Sequence, residues 1–336
     1  MNSVRTAVPA LAFDIGGTML KAGLIAMDGT LMHLRRQPTP ADAPPERVAA
    51  LLVALARELC EAESLDIDQL PGLGVSIAAF ITDDGLVTAT AHLSRTWVGY
   101  DLGAALAHDL PLTAYFALDT PAPTLGEQYF GAGRGVDHFV YMTVSTGIGA
   151  GIVADGRYFT GGLGWAGGLG HIIIDEASER VCSGCGNHGC LETFAATQGI
   201  LAAAADAMRH YPESSLHHVA QPGHLPTPQQ IADAAHAGDA AALAVWHKVG
   251  HALGIGVTNV VNIVSPRRVV IGGGIAQAGD LLFEPVRAVV RERAFPPRHR
   301  QAEVVPASLG DLSGLYGAAA MVFHDLRINP RSEVLT

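Results

Sequence analysis

Positive charge is scarce in this chain. Its 336 residues hold 21 Lys and Arg against 32 Asp and Glu, a formal net charge of −11 with histidine neutral. A general binder of the nucleic-acid backbone needs a basic face, so that class is excluded. Long apolar runs are missing as well: none reaches the roughly 18 residues of a membrane span. Residues 1–11 are too short and too weakly charged for a signal peptide, and Asp14 then interrupts them. A cytoplasmic protein is expected. No G-x-x-x-x-G-K-[ST] segment occurs, which excludes the P-loop class. With only four cysteines and a reducing compartment expected, a disulfide framework is excluded too. What remains is a soluble globular chain, rich in Ala and Gly, long enough for two domains and a large core.

Three of the four cysteines lie within nine residues. Cys182 and Cys185 have a metal-knuckle spacing, Cys190 follows, and Gly184, Gly186 and Gly189 permit the turns that aim several thiolates at one point. A closed Cys3His shell is the usual structural completion for zinc. Two histidines are near enough, His188 inside the loop and His171 eleven residues before Cys182, and spacing alone does not choose between them. His171 begins the apolar run Ile172–Ile174, which reads as a strand. Cys60 lies in a helical pattern and reads as a core thiol.

Along the chain, strands are expected at 10–13, 21–27, 30–36, 73–77, 114–118 and 268–271. Helices are expected at 46–63, 193–210, 229–237, 239–264, 281–293 and 314–326. Strands alternating with helices indicate an α/β architecture. The segment 22–29 is echoed by 150–156, each after a glycine turn that ends a strand, which suggests two related lobes. Three glycine turns follow strands: Asp14-Ile15-Gly16-Gly17-Thr18, Thr146-Gly147-Ile148-Gly149 and Gly272-Gly273-Gly274. Such turns let backbone N–H groups approach phosphates. The formal match Gly162-x-Gly164-x-x-Gly167 opens no helix and is rejected as a dinucleotide site. Asp119 follows the apolar strand 114–118, where an ionised side chain is costly without purpose. It reads either as a catalytic carboxylate or as a cap of the next helix, with Pro121 in its first turn.

The segment Cys185-Gly186-Asn187-His188-Gly189-Cys190-Leu191-Glu192 resembles the C-G-x-x-G-C-x-E signature of the ROK family, named for repressors, open reading frames and sugar kinases. The resemblance implies the two-lobed actin/hexokinase-like (ribonuclease H-like) α/β ATPase fold, with an interlobe active-site cleft. It divides the chain into a small lobe, 1–118 completed by helix 313–327, and a large lobe, 119–312 with the zinc loop 171–192. It implies ATP, Mg2+ and a structural Zn2+, the last on His171, Cys182, Cys185 and Cys190. Asp14, Gly16, Gly17, Thr18 and Lys21 match the family's D-x-G-G-T-x-x-K phosphate loop, with Asp14 acting through a magnesium-bound water. Thr146, Gly147 and Gly149 resemble the second phosphate loop, and Gly272, Gly273 and Gly274 the adenosine loop. Asp119 aligns with the base that takes the acceptor's hydroxyl proton.

The acceptor side departs from the pattern. Glu192 and His171 are kept, but the sugar-contacting asparagine is Leu118 and the glutamate is Gly168. Ser76-Ile77 replaces a Pro-Gly, and the asparagine ahead of Trp97 falls on Leu93 or His92. The first cysteine pair is one residue longer than the family's C-x-C. Repressor members carry a helix-turn-helix domain ahead of the first phosphate loop; none is expected here. The reading is an ATP-dependent kinase acting on a sugar or sugar-like hydroxyl with altered acceptor specificity. The alternative is a non-catalytic ligand-binding sensor. A homodimer is expected by family habit, with no nucleic-acid or membrane partner.

Overall fold

The computed structural model describes residues 8–40, 42–90, 93–219 and 224–329. The chain forms two compact units: Met1–Gly135 with Tyr158–Ala166 and Ser308–Thr336, and Val136–Arg157 with Gly167–Ala307.

The first unit is built on a five-stranded sheet. Its strands are β1 (Ala10–Ile15), β2 (Met19–Ile25), β3 (Leu31–Pro38), β4 (Leu73–Ile77) and a later one, Ala114–Leu118, in the order β3-β2-β1-β4 and then Ala114–Leu118 at the edge. A separate small hairpin, β5 (Ala79–Ile81) with β6 (Val87–Thr90), comes between β4 and that edge strand, β7, in chain order. β1 and β2 are antiparallel, whereas β1, β4 and β7 run parallel. Alternation along β1 sets the layers. Leu11, Phe13 and Ile15 pack with buried residues of α1 (Pro45–Ala62) and α2 (Leu102–Asp109). Ala10 and Ala12 face the other way, toward α3 (Pro121–Phe130) and the last helix, Ser313–Phe323. Small residues on that face let the last helix come close; a Cβ on Gly74 would stand 2.0 Å from the Ala318 carbonyl oxygen. Cys60 is 4% exposed within the first of these cores.

The second unit repeats the plan. β8 (Phe139–Val144) pairs antiparallel with β9 (Ile148–Ala154), and the short edge strand β10 (Arg157–Tyr158) lies at the unit's border. β8 runs parallel to β11 (Arg268–Gly272), which runs parallel to β12 (Glu303–Pro306). The sheet order β10-β9-β8-β11-β12 matches β3-β2-β1-β4-β7 strand for strand. Helices α4 (Glu192–Ala195), α5 (Thr197–His210), α6 (Leu216–Val219), α7 (Pro228–His236), α8 (Ala240–Val264) and α9 (Asp280–Arg293) complete it. The 25-residue α8 starts where the Asp239 carboxylate accepts the Ala242 N–H and ends at Ser265 in the left-handed region. Helix α10 (Ser313–Phe323) returns to the first unit. Among the described residues no helix is long and apolar enough to cross a membrane.

Two expectations are corrected. The run after His171 is not a strand: Leu169–His171 is a 3-10 turn, and Ile173 makes only an isolated bridge to Cys190. Its backbone is satisfied by the loop's return leg, with Ile174 N–H bonded to Gly189 and Leu191 N–H bonded to Ile172, so no sheet is needed. The helix expected at 193–210 is interrupted at Ala196, which is extended. There the Thr197 N–H turns aside to bond the Ser145 carbonyl. By compactness the first unit runs through α3 to Gly135. The 0%-exposed Glu127 of α3 accepts hydrogen bonds from Ser308, Leu309 and Ser313, and so ties α3 to the segment leading into α10.

Candidate functional site

In the first unit, Asp14 stands at the end of β1 on the face toward α10. Its Oδ2 accepts Lys21 Nζ at 2.9 Å, and its Oδ1 accepts the Ser76 hydroxyl at 2.8 Å. The pair is largely shielded, with side-chain exposures of 13% for Lys21 and 14% for Asp14. The N-terminal turn of α10 closes over the carboxylate: a Cβ on Gly314 would lie 2.6 Å from Asp14 Oδ1. Lys21, the Ser76 hydroxyl and the first turn of α10 thus surround the carboxylate. The following turn, Gly16–Thr18, is fixed by Gly16 N–H bonding Met19 and by the Thr39 hydroxyl bonding the Gly16 carbonyl at 2.7 Å. Gly16 and Gly17 are partly exposed and Thr18 is exposed.

Asp119 lies at the same end of this sheet. Ile15, Ile77 and Leu118 stand in register across β1, β4 and β7, and Asp119 is the next residue after Leu118. Two strand spacings separate its strand from that of Asp14, about 10 Å. In open α/β sheets this carboxyl end is where ligands bind. The N-cap position of α3 is Thr120, which makes no side-chain capping bond. Leu118, partly buried, precedes the carboxylate. Leu93 and Trp97 are core residues of this unit, and His92 lies outside the described residues.

In the second unit, Thr146 and Gly147 form the turn between β8 and β9, and Gly149 lies on β9. Ser145 N–H bonds Gly147, and the Thr197 hydroxyl bonds the Ser145 carbonyl at 2.9 Å. Gly272 ends β11 opposite Thr143, so Gly273 and Gly274 follow beside that turn. Gly273 has φ +87°, and a Cβ there would lie 2.4 Å from the Val144 oxygen; only glycine fits this approach. Glu192 opens α4 and accepts the Ile148 N–H at 3.4 Å.

Glu192 also touches the cysteine loop: its Oε1 accepts from the Cys182 thiol at 2.8 Å and lies 3.8 Å from His171 Nδ1. His171, Cys182, Cys185 and Cys190 present ligand atoms that all lie within 4.8 Å of one another. Around a tetrahedral zinc, sulfurs about 2.3 Å and a nitrogen about 2.05 Å from the metal would stand about 3.8 Å (S–S) and 3.6 Å (S–N) apart. Cys185 Sγ lies 3.6 Å from Cys190 Sγ, and Cys182 Sγ lies 3.5 Å from His171 Nδ1, so the donor set fits a single tetrahedral ion. His188 is not in this group; its position in the loop bridges Val181. Gly186 and Gly189, at φ +75° and +72°, make the turns. Burial, and then the bond to Glu192, push the Cys182 thiol up to about 12. Burial likewise raises Cys190, while the Asn187 N–H lowers the exposed Cys185. Gly168 is exposed, and a Cβ there would meet nothing within 4 Å.

Two contributors were not assigned from sequence. Ser76 was read only as a departure from a Pro-Gly, yet its hydroxyl holds Asp14. Gly314, at the start of a long apolar helix, gave no signal that a carboxylate packs on it.

Paired five-stranded sheets of this order, with glycine turns at the first hairpin of each, define the actin/hexokinase-like α/β class. Within it the chain belongs to the ROK family, whose pattern matches residues 10–325. It is 31% identical over 312 residues to a glucokinase of Thermotoga maritima, covering 93% of this chain and 96% of that one. It is also 31% identical over 280 residues to a xylose repressor of Caldicellulosiruptor bescii, covering 82% of this chain and 69% of the repressor. A ROK family glucokinase from Streptomyces griseus, solved in complex with glucose and AMPPNP, superposes with a TM-score of 0.77 at 26% identity, covering 94% of this chain and 99% of that one.

Proposed function

We propose that this protein is an ATP-dependent kinase that phosphorylates a hydroxyl of a sugar or sugar-like acceptor. The observation that carries the reading is the sheet end of the first unit. Asp14, held by Lys21 and Ser76, stands there two strands from Asp119. In this reading Asp119 accepts the hydroxyl proton as the acceptor oxygen attacks the terminal phosphorus in line, and ADP leaves. Backbone N–H groups of Gly17 and Thr18, and those of the Thr146–Gly147 turn, serve as phosphate donors, with Gly16 and Gly149 shaping these turns, Lys21 beside the first, and Gly272–Gly274 on the adenosine side. Mg2+ would neutralise phosphate charge, with Asp14 orienting one of its waters. Zn2+ on His171, Cys182, Cys185 and Cys190 would be structural, since four protein ligands close its shell. It would fix the loop that carries His171 and Glu192 toward the acceptor. Leu118 and Gly168, in place of two polar sugar contacts, favour an acceptor with fewer hydroxyls or a bulkier substituent, such as a modified amino sugar, a glycoside or a cyclitol. The same reading places a homodimer in the cytoplasm.

ADP release with Mg2+ across hexoses, N-acetylhexosamines, glycosides and cyclitols tests this. Release that depends on one acceptor class supports the kinase. The similarity to a xylose repressor, together with Leu118 and Gly168, favours a second reading, a non-catalytic sensor. Tight sugar binding without ADP release from any acceptor would support that one.

A further inference from the structure

A cavity of about 420 Å3 in the second unit is lined by Thr146, Arg180, Ser183, Glu192, Thr193 and Gln198, among others. That volume lies in the range of small-ligand sites. Thr146 belongs to the glycine turn between β8 and β9, and the other walls come from the cysteine loop, α4 and α5. Resting on the kinase reading above, we propose that Arg180 is a further nucleotide-binding residue, gripping the terminal phosphoryl end of the donor in this cavity.

The guanidinium is held from two sides. Its Nη1 donates to the Thr193 carbonyl at 3.0 Å, and its Cζ lies 4.8 Å from the centroid of the Phe194 ring. Its backbone is fixed as well, with Arg180 N–H bonded to Ser178 Oγ and its carbonyl accepting Gly189 N–H. The fork is therefore oriented before any ligand arrives. Among the described residues Arg180 has no ion-pair partner, although the Glu192 carboxylate lines the same cavity. Of its five N–H donors one goes to Thr193, which leaves a half-buried cation with donors unspent. A cation removed from water in this way calls for an anion. An arginine fork matches the oxygens of a phosphoryl group in two parallel hydrogen bonds. The hydroxyls of Thr146 and Ser183 and the Gln198 amide add neutral donors to the same space. Val181 and Ala202 line the rest of the cavity, so the phosphoryl end is assigned to its Arg180 side.

Arginine-selective dicarbonyl labelling of the full-length protein, read by mass spectrometry at Arg180, tests the assignment. Mg·AMPPNP, AMP, inorganic phosphate and a sugar phosphate serve as probes. Mg·AMPPNP should slow labelling of Arg180 at least tenfold, and AMP should leave it unchanged. By calorimetry, Arg180→Met should weaken Mg·AMPPNP binding roughly 10- to 100-fold, with Arg180→Lys between the two, while AMP affinity stays within twofold. Metal content and Tm, measured alongside, would fall if Arg180 only staples the cysteine loop to α4. In that case the labelling of the unaltered protein decides. Protection by the sugar phosphate but not by Mg·AMPPNP overturns the assignment to the donor. Equal labelling with every probe overturns the site. If the unaltered protein binds no Mg·AMPPNP at all, it is the kinase reading that falls.

Discussion

Restoring two polar side chains should move the acceptor preference toward plain glucose. The substitutions are Leu118→Asn and Gly168→Glu, singly and together. Gly168 accepts the change sterically: its φ is −67° and a Cβ would meet nothing within 4 Å. Leu118 is partly buried at the end of edge strand β7, immediately before Asp119, so an amide there stays next to the reacting carboxylate. A neutral hydrogen bond contributes about 0.5–1.5 kcal/mol and one to a charged group about 1.5–3 kcal/mol. Together they amount to about 2–4.5 kcal/mol, or roughly thirty- to two-thousand-fold. The unaltered protein also leaves a sugar hydroxyl facing Leu118 unpaired, a further penalty. The assay is kcat/KM for glucose, mannose, N-acetylhexosamines, glycosides and cyclitols, with both single variants and the double. Glucose should be a poor substrate of the unaltered protein and should improve in the double variant, at the expense of the bulkier acceptors. Efficient phosphorylation of glucose by the unaltered protein would refute the reasoning.

Elemental analysis should find one zinc per chain, and Cys185→Ser should lower that content and the Tm together; metal-free protein of full stability would exclude a structural ion. Glu127→Ala should destabilise by about 1–3 kcal/mol in urea unfolding, because it removes the buried acceptor shared by the Ser308 and Leu309 N–H groups and the Ser313 hydroxyl. A loss below about 1 kcal/mol would mean that water replaces the carboxylate. Burial tends to raise the Asp239 carboxyl, but bonds from Ala242, Ser215 and Ser214 outweigh it and hold the group below the usual carboxylate range. Its stabilisation is therefore present above the unfolded value of about 3.9 and is lost as pH falls through the lower folded value. The stability gap between the unaltered protein and Asp239→Asn should accordingly narrow between pH 7 and about pH 3; a constant gap would remove the charge from the account.

Much of the plan could be read from residue pattern. Leu73–Ile77 and Ala114–Leu118 are short apolar runs bounded by breakers, and the echo of 22–29 in 150–156 corresponds to two sheets of identical strand order. The cysteine spacing identified three members of the metal-fitting cluster. The fourth needed geometry or family likeness, because both His171 and His188 are near enough in sequence to reach the cysteines. Elsewhere tertiary bonding outweighed local pattern. Ile172–Ile174 has strand composition, but its partner is the cysteine loop's return leg, a contact that no periodicity encodes. Ala196 sits in a continuous helical pattern, and only the bond from Thr197 to Ser145 reveals the break. Strands β5, β6 and β12 are too short to show a period. Ser76 and Gly314 are small residues in apolar elements, so their contact with Asp14 was invisible until the strands and α10 were placed.

The central claim is that Asp119 takes a proton from an acceptor hydroxyl while phosphoryl moves from ATP. Transfer of labelled γ-phosphoryl from ATP to the best acceptor, in unaltered protein and in Asp119→Asn, tests it most directly. Transfer should fall about 10²–10⁴-fold in the variant while Mg·AMPPNP affinity stays within a few-fold. Labelled product formed by Asp119→Asn at the unaltered rate would contradict the account and leave Asp119 a structural residue at the start of α3.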